Sequence, residues 1–210
     1  EKELERLCRH IDIAAECRIP LLRHDVAWGY YEGYTGIKSY KKVIEAVAPF
    51  VRQAAEYARE RGVKTCSENH GYLLQDSVRM LELFAAVDHP NYGFLCDMGN
   101  FTVVDEDCAT AVSALSDHIV HVHAKDMLVR SGMNFDPGRG YNLSRGGNYW
   151  RGTIFGHGNV PTFQILSAIR KSGYDGYVSL EFEGMEPVLE GVEIGTQNLQ
   201  HMIEVVGKMR

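Results

Sequence analysis

Apolar positions along the chain follow two alternating rhythms. Leu4, Leu7, Cys8, Ile11, Ala14 and Ala15 recur at the spacing of one helix face and predict a helix over 3–17. A short apolar run over 19–23 then reads as a strand. Val43, Ala46, Val47, Phe50, Val51, Ala54 and Ala58 share one face of a long helix over 39–61, with Gly62 as its stop. The alternation continues through strands at 63–67, 92–96, 119–123, 153–155 and 177–182. Helices are predicted over 76–87, 105–117, 163–172 and 193–208, with Asp76 as an N-cap and Gly173 as a stop. Two stretches break the pattern. Residues 25–37 form a loop dense in aromatics and glycine, and 127–152, which lack an apolar period, read as a long loop over a site.

Alternating β and α elements imply parallel strands with right-handed crossovers. An open doubly wound sheet would carry a glycine-rich phosphate turn after its first strand, and this chain has none. Polar residues gather instead at the C-terminal ends of successive strands, where a TIM (β/α)8-type barrel builds its active site. Six strands are counted where such a barrel needs eight. The chain also opens at Glu1, without Met, inside its first helix. The expectation is therefore a single, N-terminally truncated barrel domain over 1–210 that lacks the first two βα units. Such a barrel exposes two strand edges, so the expectation is either an unstable chain or a homo-oligomer that covers them.

Composition narrows the partners. The 210 residues are 45% hydrophobic and 24% charged, ordinary for one globular domain. No apolar run approaches the ~18 residues of a membrane span. A net charge of −6 argues against a nucleic-acid partner and leaves a small molecule, neutral or locally neutralised, as the substrate. The five cysteines are odd in number and show no CxxC spacing, so they read as reduced thiols in the cytoplasm.

Four segments each end an apolar run with a metal-competent side chain: Thr65-Cys66-Ser67-Glu68-Asn69-His70-Gly71, Leu95-Cys96-Asp97-Met98-Gly99-Asn100, His121-Val122-His123-Ala124-Lys125-Asp126 and Ser179-Leu180-Glu181-Phe182-Glu183-Gly184. Glu68, Asp97, His123 and Glu181 follow one another at steps of 29, 26 and 58 residues. A βα unit takes roughly 25–35 residues, so the steps correspond to one, one and two units and bring the four to a common rim. Three carboxylates and one imidazole suit one divalent ion: Mn²⁺, Mg²⁺, Co²⁺ or Zn²⁺. With positions left open, the ion would polarise a sugar carbonyl and stabilise the ene-diolate formed when the neighbouring carbon loses its proton. Two glutamates flanking that sugar would serve as base and acid. A lone Glu or His at a strand end is ordinarily structural; the combined spacing carries the metal reading.

Other residues have two readings each. Trp28 and the nearby tyrosines form either a wall against a sugar ring or simple loop packing. Lys125 either neutralises a developing oxyanion or makes a structural salt bridge. Arg139, Arg145 and Arg151 bind a phosphate or carboxylate, or are solvated surface. His121 reads as packing one layer below the site, and Glu183 and Asp126 as cation partners or helix caps. Gly156-His157-Gly158-Asn159 offers backbone N–H groups to an anion. The candidate substrate contacts are Trp28, His70, Asn100, Lys125 and Arg151.

The ordered segments Glu-Asn-His-Gly, Asp-Met-Gly-Asn, His-Val-His-Ala-Lys-Asp, Gly-His-Gly-Asn-Val-Pro and Gly-Tyr-Asp-Gly-Tyr-Val-Ser-Leu-Glu-Phe-Glu-Gly resemble the xylose isomerase-like TIM-barrel superfamily, in its sugar phosphate isomerase/epimerase branch. The resemblance runs from Leu21 to the final helix. It implies an eight-stranded barrel, with Glu68, Asp97, His123 and Glu181 matching the metal ligands and Glu68 and Glu181 the acid/base pair of ketose 3-epimerases. A related branch of zinc-dependent DNA-repair nucleases carries a histidine where this chain has Asn100; that departure and the acidic balance argue against a three-zinc nuclease. What the resemblance implies first is an isomerase or epimerase of a keto sugar or sugar phosphate. The alternative is a lyase or dehydratase acting on a keto sugar or keto cyclitol through the same enolate, and a second is a non-catalytic sugar-binding barrel.

Overall fold

A computed structural model describes residues 2–209. The chain divides into two compact units, Glu1–Leu95 and Cys96–Arg210. The boundary falls within one strand, β3 (Tyr92–Asp97).

The first unit runs α1 (Lys2–Glu16), β1 (Leu21–Arg23), α2 (Tyr40–Arg59), β2 (Lys64–Glu68) and α3 (Ser77–Val87) before entering β3. β1 pairs parallel with β2, Leu22 beside Thr65, and β2 pairs parallel with β3, Glu68 beside Leu95. Helix α1 packs on α2 through Ile11, Ala14, Ala54 and Ala58, with Val63 closing the cluster. The small alanines let the two backbones approach closely. Gly62 ends α2 at φ +69°, a left-handed turn that a side chain would strain. Asp76 caps α3 by accepting the Arg79 N–H at 3.1 Å, a contact that stabilises by about 1 kcal/mol.

The second unit begins at the end of β3. It continues through a 3₁₀ turn (Asn100–Val104), α4 (Cys108–Leu115), β4 (Ile119–Ala124), β5 (Asp126–Arg130), β6 (Asn142–Leu143), β7 (Tyr149–Thr153), α5 (Thr162–Lys171), β8 (Val178–Leu180) and α6 (Val188–Lys208). β4 pairs parallel and directly with β8, His123 beside Ser179. Helix α5 lies between α4 and α6 and buries Ile165, Leu166 and Ile169.

Two expectations are corrected here. Residues 127–152 are not a structureless loop: β5, β7 and β6 form a separate antiparallel sheet, with Leu128 opposite Arg151 and Leu143 opposite Tyr149. The strand expected at 153–155 is the end of β7, so five strands, not six, belong to the parallel β-α alternation. The antiparallel sheet is largely solvated at its tip, where Arg130, Asn142 and Leu143 are exposed. Without one buried face, its strands carry no apolar alternation to read.

Among the described residues, no helix is long and apolar enough to cross a membrane.

Candidate metal centre

In the second unit three strand ends are laced together. Asp97 is the last residue of β3, His123 lies next to the end of β4, and Glu181 directly follows β8. Met98 N–H donates to the His123 carbonyl at 3.1 Å, and Glu181 N–H donates to the Ala124 carbonyl at 3.1 Å. Period-2 side-chain direction then turns the three side chains to one place. One donor atom from each lies within 4.8 Å of the others.

Asp97 is fully buried. Its Oδ1 accepts the N–H groups of Gly99 and Asn100, both at 2.8 Å, which fixes the carboxylate and turns Oδ2 toward the Lys125 ammonium at 3.3 Å. His123 Nδ1 and Glu181 Oε2 are 2.9 Å apart. Burial pushes the Glu181 carboxyl up, but the hydrogen bond from His123 and the Lys125 charge help to outweigh it and hold its pKa well below the usual carboxylate range. Lys125 is itself buried and reaches Glu181 Oε2 at 3.1 Å and Glu183 Oε2 at 3.2 Å. Three carboxylates therefore converge on one ammonium. Two carboxylate oxygens and an imidazole nitrogen, in surroundings with surplus negative charge, fit a divalent cation that tolerates mixed O/N ligands.

Glu68, in the first unit, ends β2 with a side chain only 5% exposed and its Oε2 2.8 Å from Arg23 Nη2. The same Arg23 nitrogen lies 2.9 Å from Asp25 Oδ1 and 3.3 Å from His70 Nδ1. Hydrogen bonding to Asp25 raises the pKa of His70 and lowers that of Asp25. Trp28 and His70 meet edge to face, with centroids 4.6 Å apart, while Tyr34 packs against Tyr30 in a tilted pair and against Tyr31 edge to face. Trp28 also borders an open pocket with Arg23, His24 and Asp25.

Asn100 is buried at the start of the 3₁₀ turn, its Oδ1 3.5 Å from Lys125 Nζ. Arg151, on β7, lies 3.6 Å from Glu186 Oε1. His121 pairs with Ser179 Oγ at 2.9 Å, one layer below His123, and burial lowers its pKa. The backbone amides of Gly156 and Gly158 point to Asp126 Oδ2 at 2.9 and 2.8 Å, and those of Met127 and Val160 to Oδ1 at 2.8 and 3.2 Å. The anion cradled by the Gly156–Asn159 turn is thus the chain's own carboxylate. A side chain at Gly158 would collide with Asp126 Oδ1, so this close approach requires glycine. Sequence reasoning missed Arg23 and Asp25. Arg23 closes a predicted strand, the same signal that marked Glu68.

Comparison with known proteins agrees with this architecture. The family described as xylose isomerase-like TIM barrel matches residues 1–205. An inosose dehydratase of Lacticaseibacillus casei is 28% identical over 142 residues, which is 66% of this chain and 47% of that protein. The chain spans about half the length of that relative. The crystal structure of a xylose isomerase domain protein from Planctomyces limnophilus superposes with a TM-score of 0.75 at 15% identity, covering 99% of this chain and 67% of that one. A xylose isomerase-like TIM-barrel protein from Mycobacterium smegmatis in complex with magnesium superposes with a TM-score of 0.72 at 17% identity, covering 98% and 68%.

Proposed function

The chain belongs to the xylose isomerase-like TIM-barrel family, and from that premise we propose that it carries the metal centre of an enzyme that removes a proton beside the carbonyl of a keto sugar or keto cyclitol. The observation that carries this reading is the convergence of Asp97, His123 and Glu181 donor atoms within 4.8 Å at three strand ends. Glu68 is our fourth ligand. Like the other three, it stands at the end of a strand, closing β2.

A divalent ion held by these residues would draw electron density from the substrate carbonyl and stabilise the charge left by proton removal. The chain's own groups do the rest. The Asp97 carboxylate is fixed by two backbone amides and gives a rigid ligand. Glu181, held ionised by His123 and Lys125, accepts the proton from carbon. Glu68, held by Arg23, is the second acid/base group. The five cysteines form no disulfide, in keeping with the reducing cytoplasm we take as its compartment.

Two fates of the enolate suit the same residues. Return of the proton to another face or carbon gives an isomerase or epimerase. Loss of a β-hydroxyl as water gives a dehydratase, the reading favoured by the likeness to an inosose dehydratase. Incubating the protein with Mn²⁺ in D₂O with inosose and a panel of keto sugars separates them by proton NMR. Deuterium retained in an isomeric sugar identifies the first, and a dehydrated, unsaturated product the second. Absence of exchange in every substrate, or exchange undiminished by Glu181→Gln, refutes the proposal.

A further inference from the structure

Lys125 is more than a substrate contact at the rim. Its side chain is 4% exposed, and its Nζ stands 3.3 Å from Asp97 Oδ2, 3.1 Å from Glu181 Oε2 and 3.2 Å from Glu183 Oε2. A fourth neighbour is Asn100 Oδ1 at 3.5 Å. We propose that Lys125 is the resident counter-cation of the metal centre, a positioning residue that shares the ligand carboxylates with the ion and yields toward Glu183 when the ion binds. This rests on the metal reading of Asp97, His123 and Glu181 given above.

Asp97 and Glu181 are fully and half buried in a region where like charges in close contact repel strongly. Without a cation between them the two carboxylates would repel each other, and the ammonium holds them at ligand spacing. A divalent ion on the same two oxygens competes with that ammonium. Glu183 and Asn100 give the ammonium somewhere to go: Glu183 is no ligand in this reading, and its side chain is 53% exposed. The stem of Lys125 is less free. A methyl group on Gly99 would already press on Lys125 Cγ and its carbonyl, both at 3.2 Å, so the adjustment falls to the terminal ammonium.

The competition gives an effect of unusual sign. Removing a residue that merely supports the fold would loosen the site and weaken metal binding. Removing a competing cation tightens it. Chelator-stripped wild-type chain, Lys125→Met and Lys125→Gln are titrated calorimetrically with Mn²⁺ alone, with folding checked by circular dichroism. Both variants should bind Mn²⁺ at least about tenfold more tightly than wild type, the scale of losing one nearby like charge. They should also gain more in melting temperature on Mn²⁺ addition, because their metal-free carboxylates no longer share the ammonium. Unchanged or weaker binding by a folded Lys125 variant, with wild type binding normally, overturns this inference and leaves the metal reading standing. Absence of Mn²⁺ binding by wild type overturns both. Glu183→Gln alters an exposed side chain and decides the matter if the lysine variants do not fold. Loss of the ammonium's alternative partner should weaken Mn²⁺ binding several-fold in wild-type background, and unchanged affinity overturns the inference.

Discussion

Asp126 is 1% exposed and accepts four backbone N–H groups, from Met127, Gly156, Gly158 and Val160. Replacing it with alanine removes all four acceptor contacts and leaves room for a water. Each buried donor without a partner costs about 1–3 kcal/mol, so a dry cavity would cost about 4–12 kcal/mol. Entry of water and local repacking recover part of this, and single substitutions seldom exceed about 4–5 kcal/mol. Asp126→Ala should therefore destabilise by about 4 kcal/mol. Asp126→Asn keeps one oxygen but turns an NH₂ donor toward two of the amides, and should cost about half as much. The assay is urea unfolding followed by circular dichroism, where both variants should shift the midpoint at unchanged slope. In a chain of this size, the alanine variant should melt roughly 8–16 °C lower. A loss below about 1 kcal/mol for Asp126→Ala would refute the idea that this carboxylate organises the turn after β7.

Two further outcomes follow from titrating groups. Glu181 has a pKa held below its ordinary 4.5 in the folded chain, so its contribution to stability is full above that value and is lost as pH falls through the folded one. Urea midpoints measured from pH 6 to 3 should accordingly fall less steeply for Glu181→Gln than for wild type, and parallel slopes would contradict the assignment. Burial pushes the thiols of Cys66 to about 12 and Cys108 to about 11, and Cys96 is buried as well. At pH 8 a thiol reagent should label exposed Cys17 quickly and partly exposed Cys8 more slowly; rapid labelling of a third native thiol would refute that burial.

Most of the parallel β-α order was legible because it depends on local periodicity. A strand buried on both faces, such as β3, shows as a continuous apolar run, and Asp76 and Gly62 announce helix ends by chemistry confined to one turn. The positions of Asp97, His123 and Glu181 at successive strand ends were legible for the same reason. The antiparallel sheet of β5, β6 and β7 was not, because it is buried at its base and solvated at its tip, which imposes no one-sided alternation on its sequence.

What the amino-acid order determined by itself is which residues stand at the ends of which strands, since strand period and βα unit length are properties of the chain alone. What only the tertiary structure decided is who meets whom there. Lys125, read from sequence as a substrate contact or a structural ion pair, is a buried ammonium shared by Asp97, Glu181 and Glu183. The Gly156–Asn159 turn, read as a cradle for an outside anion, gives the amides of Gly156 and Gly158 to Asp126. Both outcomes depend on charges brought together from segments tens of residues apart. Their pairing is set by which loop folds back over which strand end, a distance that no local pattern encodes.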